Sequence, residues 1–290
     1  MYIEGVIKQF LRNRRASGLA DKTIELSEYV MRDFSRYCIN TGIIMVNELD
    51  EAFIEEYFVY LKYEKTNQKH GGRLSDNTLA NYFKVISVFA KFIQRRSFLS
   101  FDITQGISAP SLSNGIKQTF SMEQLRYIIN NSREDYRTLF RLMLNLGLRI
   151  SEGISLKRSD IHLDECMIEV YRKKVRKYDL LPFSQELRDD LACYLDKQEQ
   201  ENLFTFKADT VRRYLRRLCE GAEDKLGFAS LSIKPHLFRH TFAKHWIMSE
   251  GDAFSLQRML GHSSPHMTSH YVNLFSTDLA KKHKKHAIII

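Results

Sequence analysis

Apolar residues recur at helical spacing through the first hundred positions. Beyond a short interruption at Gly71 and Gly72, the recurrence breaks off between Phe101 and Thr119 and restarts at Ser121. A chain patterned this way folds as two bodies, because the interrupting stretch has no period with which to continue either core. Tyr2 to Arg15 sets Ile3, Val6, Ile7, Phe10 and Leu11 on one stripe. A second helix over about 22–40 does the same with Ile24, Leu26, Tyr29, Val30, Phe34 and Tyr37, and a third, rich in Phe and Tyr, covers about 51–65. Gly71 and Gly72 interrupt, and Ser75 to Asn77 can cap a fourth helix ending near Arg96. Four such helices predict a small bundle over residues 1–100, followed by a linker over 101–119.

The second domain, 120–275, opens on Ser121-Met122-Glu123-Gln124, a capping-box pattern. An apolar helix from about Asp135 to Leu146 stops at Gly147. Met167 to Val170 and Tyr178 to Pro182 read as two strands joined by a basic turn. Helical patterning returns after Ser184, with a loop near 201–209. The expected fold class is mainly α with a small β-sheet: a helical N-terminal domain and a mixed α/β C-terminal one. Residues 276–290 form a basic tail ending in Ala287 to Ile290.

Among 290 residues there are 44 basic and 35 acidic side chains, a formal charge of +9 that favours a polyanionic partner. The charge is bunched, with five basic residues from Arg172 to Lys177 and four from Arg212 to Arg217. The four cysteines lie without paired spacing, which argues against a zinc knuckle or disulfide framework and predicts a reducing cytoplasm. No apolar run reaches membrane-spanning length and no apolar leader opens the chain, so a soluble, cytoplasmic protein with no membrane partner is expected.

Breaking a phosphodiester without metal requires an in-line nucleophile, cations on the nonbridging oxygens and an acid for the leaving oxygen. Arginine suits the second task, because its planar fork binds two oxygens and keeps its charge. Arg149 and Arg239 are the candidates. His236 and Arg239 are three apart and share a face of a helix that Pro235 can open, close to an N-terminus that itself favours phosphate. His240 points away from Arg239 and suits packing. His262 follows Leu260-Gly261, and Ser264-Pro265 can begin another helix carrying His266, His270 and Tyr271. His236 and His240 lack the glutamate of a His-Glu-x-x-His zinc site. No Asp, Glu or Cys stands between His262 and Tyr271, so no metal site is expected.

The order Arg149, Lys174, His236-x-x-Arg239, His262 and Tyr271 resembles the tyrosine recombinase (phage integrase) family, in the simple two-domain form of Xer and transposon-type recombinases. The resemblance spans essentially the whole chain. It implies a SAM-like core-binding domain before a catalytic domain. It also implies a site-specific DNA recombinase that cleaves duplex DNA, forms a 3′-phosphotyrosyl link, exchanges strands through a Holliday junction and rejoins them without ATP, metal or other cofactor. In that scheme Tyr271 is the nucleophile, and His236 and His262 contact phosphate oxygens and handle the tyrosine proton. Aligning on Leu181-Pro182 selects Lys174 as the acid, although the family's Gly-Lys-Gly turn reads Lys173-Lys174-Val175 here and leaves Lys173 as the alternative. Glu152 matches the family's acidic position and orients a neighbouring cation.

Expected DNA contacts are Lys84, Lys91 and Arg95 on the fourth helix, Arg172, Lys173, Arg176 and Lys177 around the turn, and Arg212, Arg213, Arg216 and Arg217 on one helix face. The family likeness implies a C-shaped clamp around a double-stranded recombination site. It further implies a homotetramer on paired sites, linked through the C-terminal tail and open to accessory or directionality proteins. The rival readings are a type IB topoisomerase, a noncatalytic DNA-binding protein and a metal-dependent nuclease.

Overall fold

The computed structural model describes residues 1–66, 71–110, 118–173, 175–262, 264, 268 and 269. The chain separates into two compact units, Met1–Gly115 and Ile116–Ile290.

The first unit is helical: α1 (Ile3–Ala16), α2 (Asp21–Asn40), α3 (Glu51–Tyr63) and α4 (Asp76–Arg95). Asp50 and Ser75 cap α3 and α4, accepting hydrogen bonds from the Phe53 and Thr78 amides at 2.8 and 3.3 Å. Phe10, Phe34, Tyr57, Ile86 and Phe89 fill the core. Phe10 and Phe34 meet Phe89 edge to face at 5.3 and 6.1 Å. Asp33 pairs with Lys65 under cover of this unit and accepts from the Tyr57 hydroxyl at 3.1 Å. The bundle continues past residue 100. Ile103 is fully buried in its core, and Asp102 accepts hydrogen bonds from Thr104 at 2.9 and 2.7 Å. A single buried isoleucine in a turn-rich stretch leaves no periodic trace, which is why these residues read as linker.

The second unit is built round α6 (Glu134–Leu146), whose Leu139, Phe140, Leu142, Met143 and Leu146 are all buried. Packed with it are α5 (Met122–Asn131), α7 (Ile150–Gly153), α8 (Gln185–Asp196) and α11 (His236–Met248). The helices α9 (Ala208–Glu220), α10 (Glu223–Leu226) and α12 (Ala253–Leu260) also belong to this unit. The capping box at α5 forms on both sides: the Gln124 amide donates to Ser121 Oγ at 3.1 Å, and the Ser121 amide to Gln124 Oε1 at 2.9 Å. Three antiparallel strands, β1 (Ile161–His162), β2 (Met167–Arg172) and β3 (Lys177–Pro182), lie in sequence order. The β2–β3 pairing runs on to Tyr171 opposite Tyr178 and Arg172 opposite Lys177, so the hairpin is longer than its apolar residues suggest. Among the described residues, no helix is long and apolar enough to cross a membrane.

Candidate active site

Helix α6 ends at Gly147, which adopts the left-handed conformation (φ +62°). A Cβ there would stand 2.6 Å from Phe242 Cδ1, so the turn requires glycine for both conformation and space. The chain reverses directly into Arg149 and the single turn of α7. Glu152 folds back to accept from the Arg149 amide and from Arg149 Nη1, both at 2.8 Å. The Arg149 side chain is held by this pair yet stays 29% exposed.

On α11, Pro235 precedes the first turn, Leu237 and Phe238 point into the core, and His236 is exposed. The His236 and His240 rings meet edge to face at 4.6 Å. Arg239 is 1% exposed and crosses the interior. Its Nη1 donates to the Gly147 carbonyl at 2.9 Å and its Nη2 to the Leu260 carbonyl at 2.8 Å. Those carbonyls lie two residues ahead of Arg149 and of His262. One buried guanidinium therefore gathers three segments that are far apart in sequence. Helix α12 closes on Gly261 (φ +61°), and the buried His262 follows. The His262 amide donates to the Gln257 carbonyl at 3.1 Å, and its Nδ1 is hydrogen-bonded to Thr268 Oγ1 at 2.8 Å.

Arg172 corrects the expectation of a DNA contact. It is 1% exposed and points inward, donating from Nη1 to Glu152 Oε2 at 2.8 Å, from Nε to Asp179 Oδ2 at 3.1 Å and from Nη2 to the Met259 carbonyl at 2.6 Å. All three of its nitrogens are thus engaged by acceptors inside the protein. The cause is strand parity: Ile168, Val170 and Arg172 occupy the inward face of β2, so the arginine enters the core behind two apolar residues. The alternation is present in the sequence, but the basic run that follows masks it. Burial disfavours ionisation of Asp179, but hydrogen bonds from Lys177 and Arg172, with their charges, outweigh it and hold this carboxyl below the usual range. Because the folded state binds the proton less readily, the stability this group adds is complete above the unfolded value of about 3.9 and is lost as pH falls. Thermal midpoints measured from pH 6 down to pH 3 should therefore fall more steeply for the native chain than for Asp179→Asn.

The other expected cations are distributed over the surface. Lys173, Arg176 and Lys177 are exposed on the hairpin turn. On α9, Arg213, Arg216 and Arg217 are exposed opposite the buried Val211, Leu215 and Cys219, while Arg212 pairs with Asp209 one turn earlier. In the first unit Lys84, Lys91 and Arg95 are exposed on α4. Lys91, Arg95 and Arg96 share a surface groove of about 550 Å³ with Arg14 of α1, a cation that the pattern of α4 alone does not bring in. Lys174, Tyr271, His266, His270 and the tail 276–290 lie outside the described residues.

Residues 118–277 match the phage integrase family, and residues 4–95 match the phage integrase SAM-like domain. The chain belongs to the phage integrase family, the tyrosine recombinases. Similar members include the tyrosine recombinase XerA of Saccharolobus solfataricus, 26% identical over 93% of this chain and 88% of its own. The tyrosine recombinase XerD of Staphylococcus saprophyticus is 22% identical over 98% of both. Among solved structures, the fold resembles that of the Tn1549 transposon integrase in complex with transposon right end DNA (TM-score 0.79, 16% identity, 99% of this chain and 100% of that one).

Proposed function

We propose that this recombinase breaks duplex DNA by attack of the Tyr271 phenolic oxygen on a backbone phosphorus. The new O–P bond forms as the bond from phosphorus to the 5′-oxygen breaks, leaving a 3′-phosphotyrosyl ester and a 5′-hydroxyl. The phenol proton passes to a histidine of the pair His236 and His262, and Lys174 protonates the departing oxygen. A phenol has a pKa near 10, so at neutral pH attack depends on that base and on nearby positive charge. Arg149 and Arg239 supply the fixed charge on the phosphate as it becomes more negative. A second 5′-hydroxyl, from a partner duplex, then reverses the step through a Holliday junction. The bond energy is kept in the ester, so the scheme calls for neither ATP nor metal.

The observation that supports this reading is the pair of hydrogen bonds from Arg239 to the carbonyls of Gly147 and Leu260, which tie the segments leading into Arg149 and His262 to the helix of Arg239. DNA is held along the exposed cations of α4, α9 and the hairpin turn, so binding should weaken steeply with salt. Four copies working on two sites, joined through residues 276–290, complete the scheme in the cytoplasm.

The test begins with a pool of nicked random duplexes, from which DNA covalently trapped by the protein is sequenced. The recovered site is then cloned twice into one plasmid. Recombinant circles, formed equally well in excess chelator, are the expected product. Relaxation of plasmids that lack the site, without recombinants, would show a topoisomerase instead.

A further inference from the structure

We propose that Arg172 is a positioning residue for this reaction, a role that rests on the catalytic assignment above and is separate from DNA contact. Its three bonds run to three different parts of the site. Through Glu152 it braces Arg149, since the same carboxylate holds both guanidiniums. Through the Met259 carbonyl it fixes the end of α12, three residues before His262. Through Asp179 it fixes the β2–β3 hairpin, whose turn begins at Lys173, the sequence neighbour of Lys174. Gly261 closes the arrangement: a Cβ there would stand 2.6 Å from Arg172 Nε, so the backbone beside His262 lies directly against the guanidinium.

Arginine is required because the three acceptors diverge. A planar fork with five N–H groups reaches a carboxylate on either side and a carbonyl at its end, whereas an ammonium offers one point of charge. Arg172→Lys therefore keeps the charge and loses the simultaneous reach. Displacement of catalytic groups on the scale of 1 Å lowers rates by about 10²-fold.

The experiment uses the full chain and a nicked suicide duplex of the captured site, at a temperature where circular dichroism shows Arg172→Lys to be folded. Expected are native duplex affinity, a native salt slope and covalent complex formation slower by about 10²-fold. A native cleavage rate would overturn the proposal. So would weaker binding with the slope of log affinity against log salt reduced by about 0.9, the mark of a lost phosphate contact. Asp179→Ala, which removes the hairpin link together with the Lys177 pair and leaves the bonds of Arg172 to Glu152 and Met259, provides the second variant should Arg172→Lys fail to fold. It should cleave about tenfold slower and regain its rate on a substrate with sulfur as the 5′-bridging atom, because a thiolate leaves without an acid. An equal deficit on both substrates would reduce Asp179, and the hairpin link with it, to a structural role and overturn that limb of the proposal. Tyr271→Phe is run alongside. If it still cleaves, the catalytic assignment fails, independently of the result for Arg172.

Discussion

Arg239→Ala should form covalent DNA complex about 10²–10³-fold more slowly than the native chain, the usual consequence of removing a donor aimed at developing transition-state charge. The loss should exceed that from an exposed cation for two reasons. In the proposed reaction Arg239 contributes positive charge at the phosphate, and it also holds the carbonyls of Gly147 and Leu260, which lie under the protein surface with it. Each buried acceptor left without a donor costs about 1–3 kcal/mol, so the thermal midpoint should fall as well. Single-turnover cleavage must therefore be timed well below the variant's midpoint. Arg239→Lys separates the two effects, because it restores charge and at most one of the two carbonyl bonds. It should recover part of the rate and little of the stability. A variant with native cleavage would remove Arg239 from the chemistry, whatever its stability.

The second large effect is expected at Glu152, the 4%-exposed carboxylate shared by Arg149 and Arg172. Glu152→Ala leaves Arg172 buried with Asp179 as its remaining carboxylate and leaves Arg149 without its brace. Removing one partner of a buried ion pair costs about 3–5 kcal/mol. In a domain of this size each kcal/mol moves the midpoint by about 2–4 °C, so the variant should melt roughly 10 °C lower. Glu152→Gln preserves shape and one acceptor oxygen, and should fall between the two. Scanning calorimetry checks the order: native, then Gln, then Ala. An Ala variant as stable as the native chain would mean that the carboxylate does not anchor the two guanidiniums.

Much of this arrangement is legible in the amino-acid pattern alone. Helical periods, the Ser121–Gln124 box and the stop at Gly147 are local signals, and each corresponds to a hydrogen bond or backbone angle in the fold. The order of reactive side chains carries the family resemblance, and the two carbonyl bonds of Arg239 tie together the segments leading into Arg149 and His262, more than a hundred residues apart. What the pattern hides depends on tertiary context. Ile103 completes the first core from within a turn-rich stretch, and β1 is too short to show a period. Arg172 resembles one of five solvated cations as long as charge density outweighs strand parity. Its acceptors come from α7, α12 and β3, which no local pattern connects.

The central claim is that the oxygen of Tyr271 becomes bonded to DNA phosphorus. The measurement that tests it most directly is tryptic mapping by mass spectrometry of the adduct trapped on a nicked duplex of the captured site. The account predicts a nucleotide joined through its 3′-phosphate to the peptide bearing residue 271, and no adduct from Tyr271→Phe. A nucleotide found on another residue, or cleaved DNA with a free 3′-phosphate and no protein attached, would contradict it.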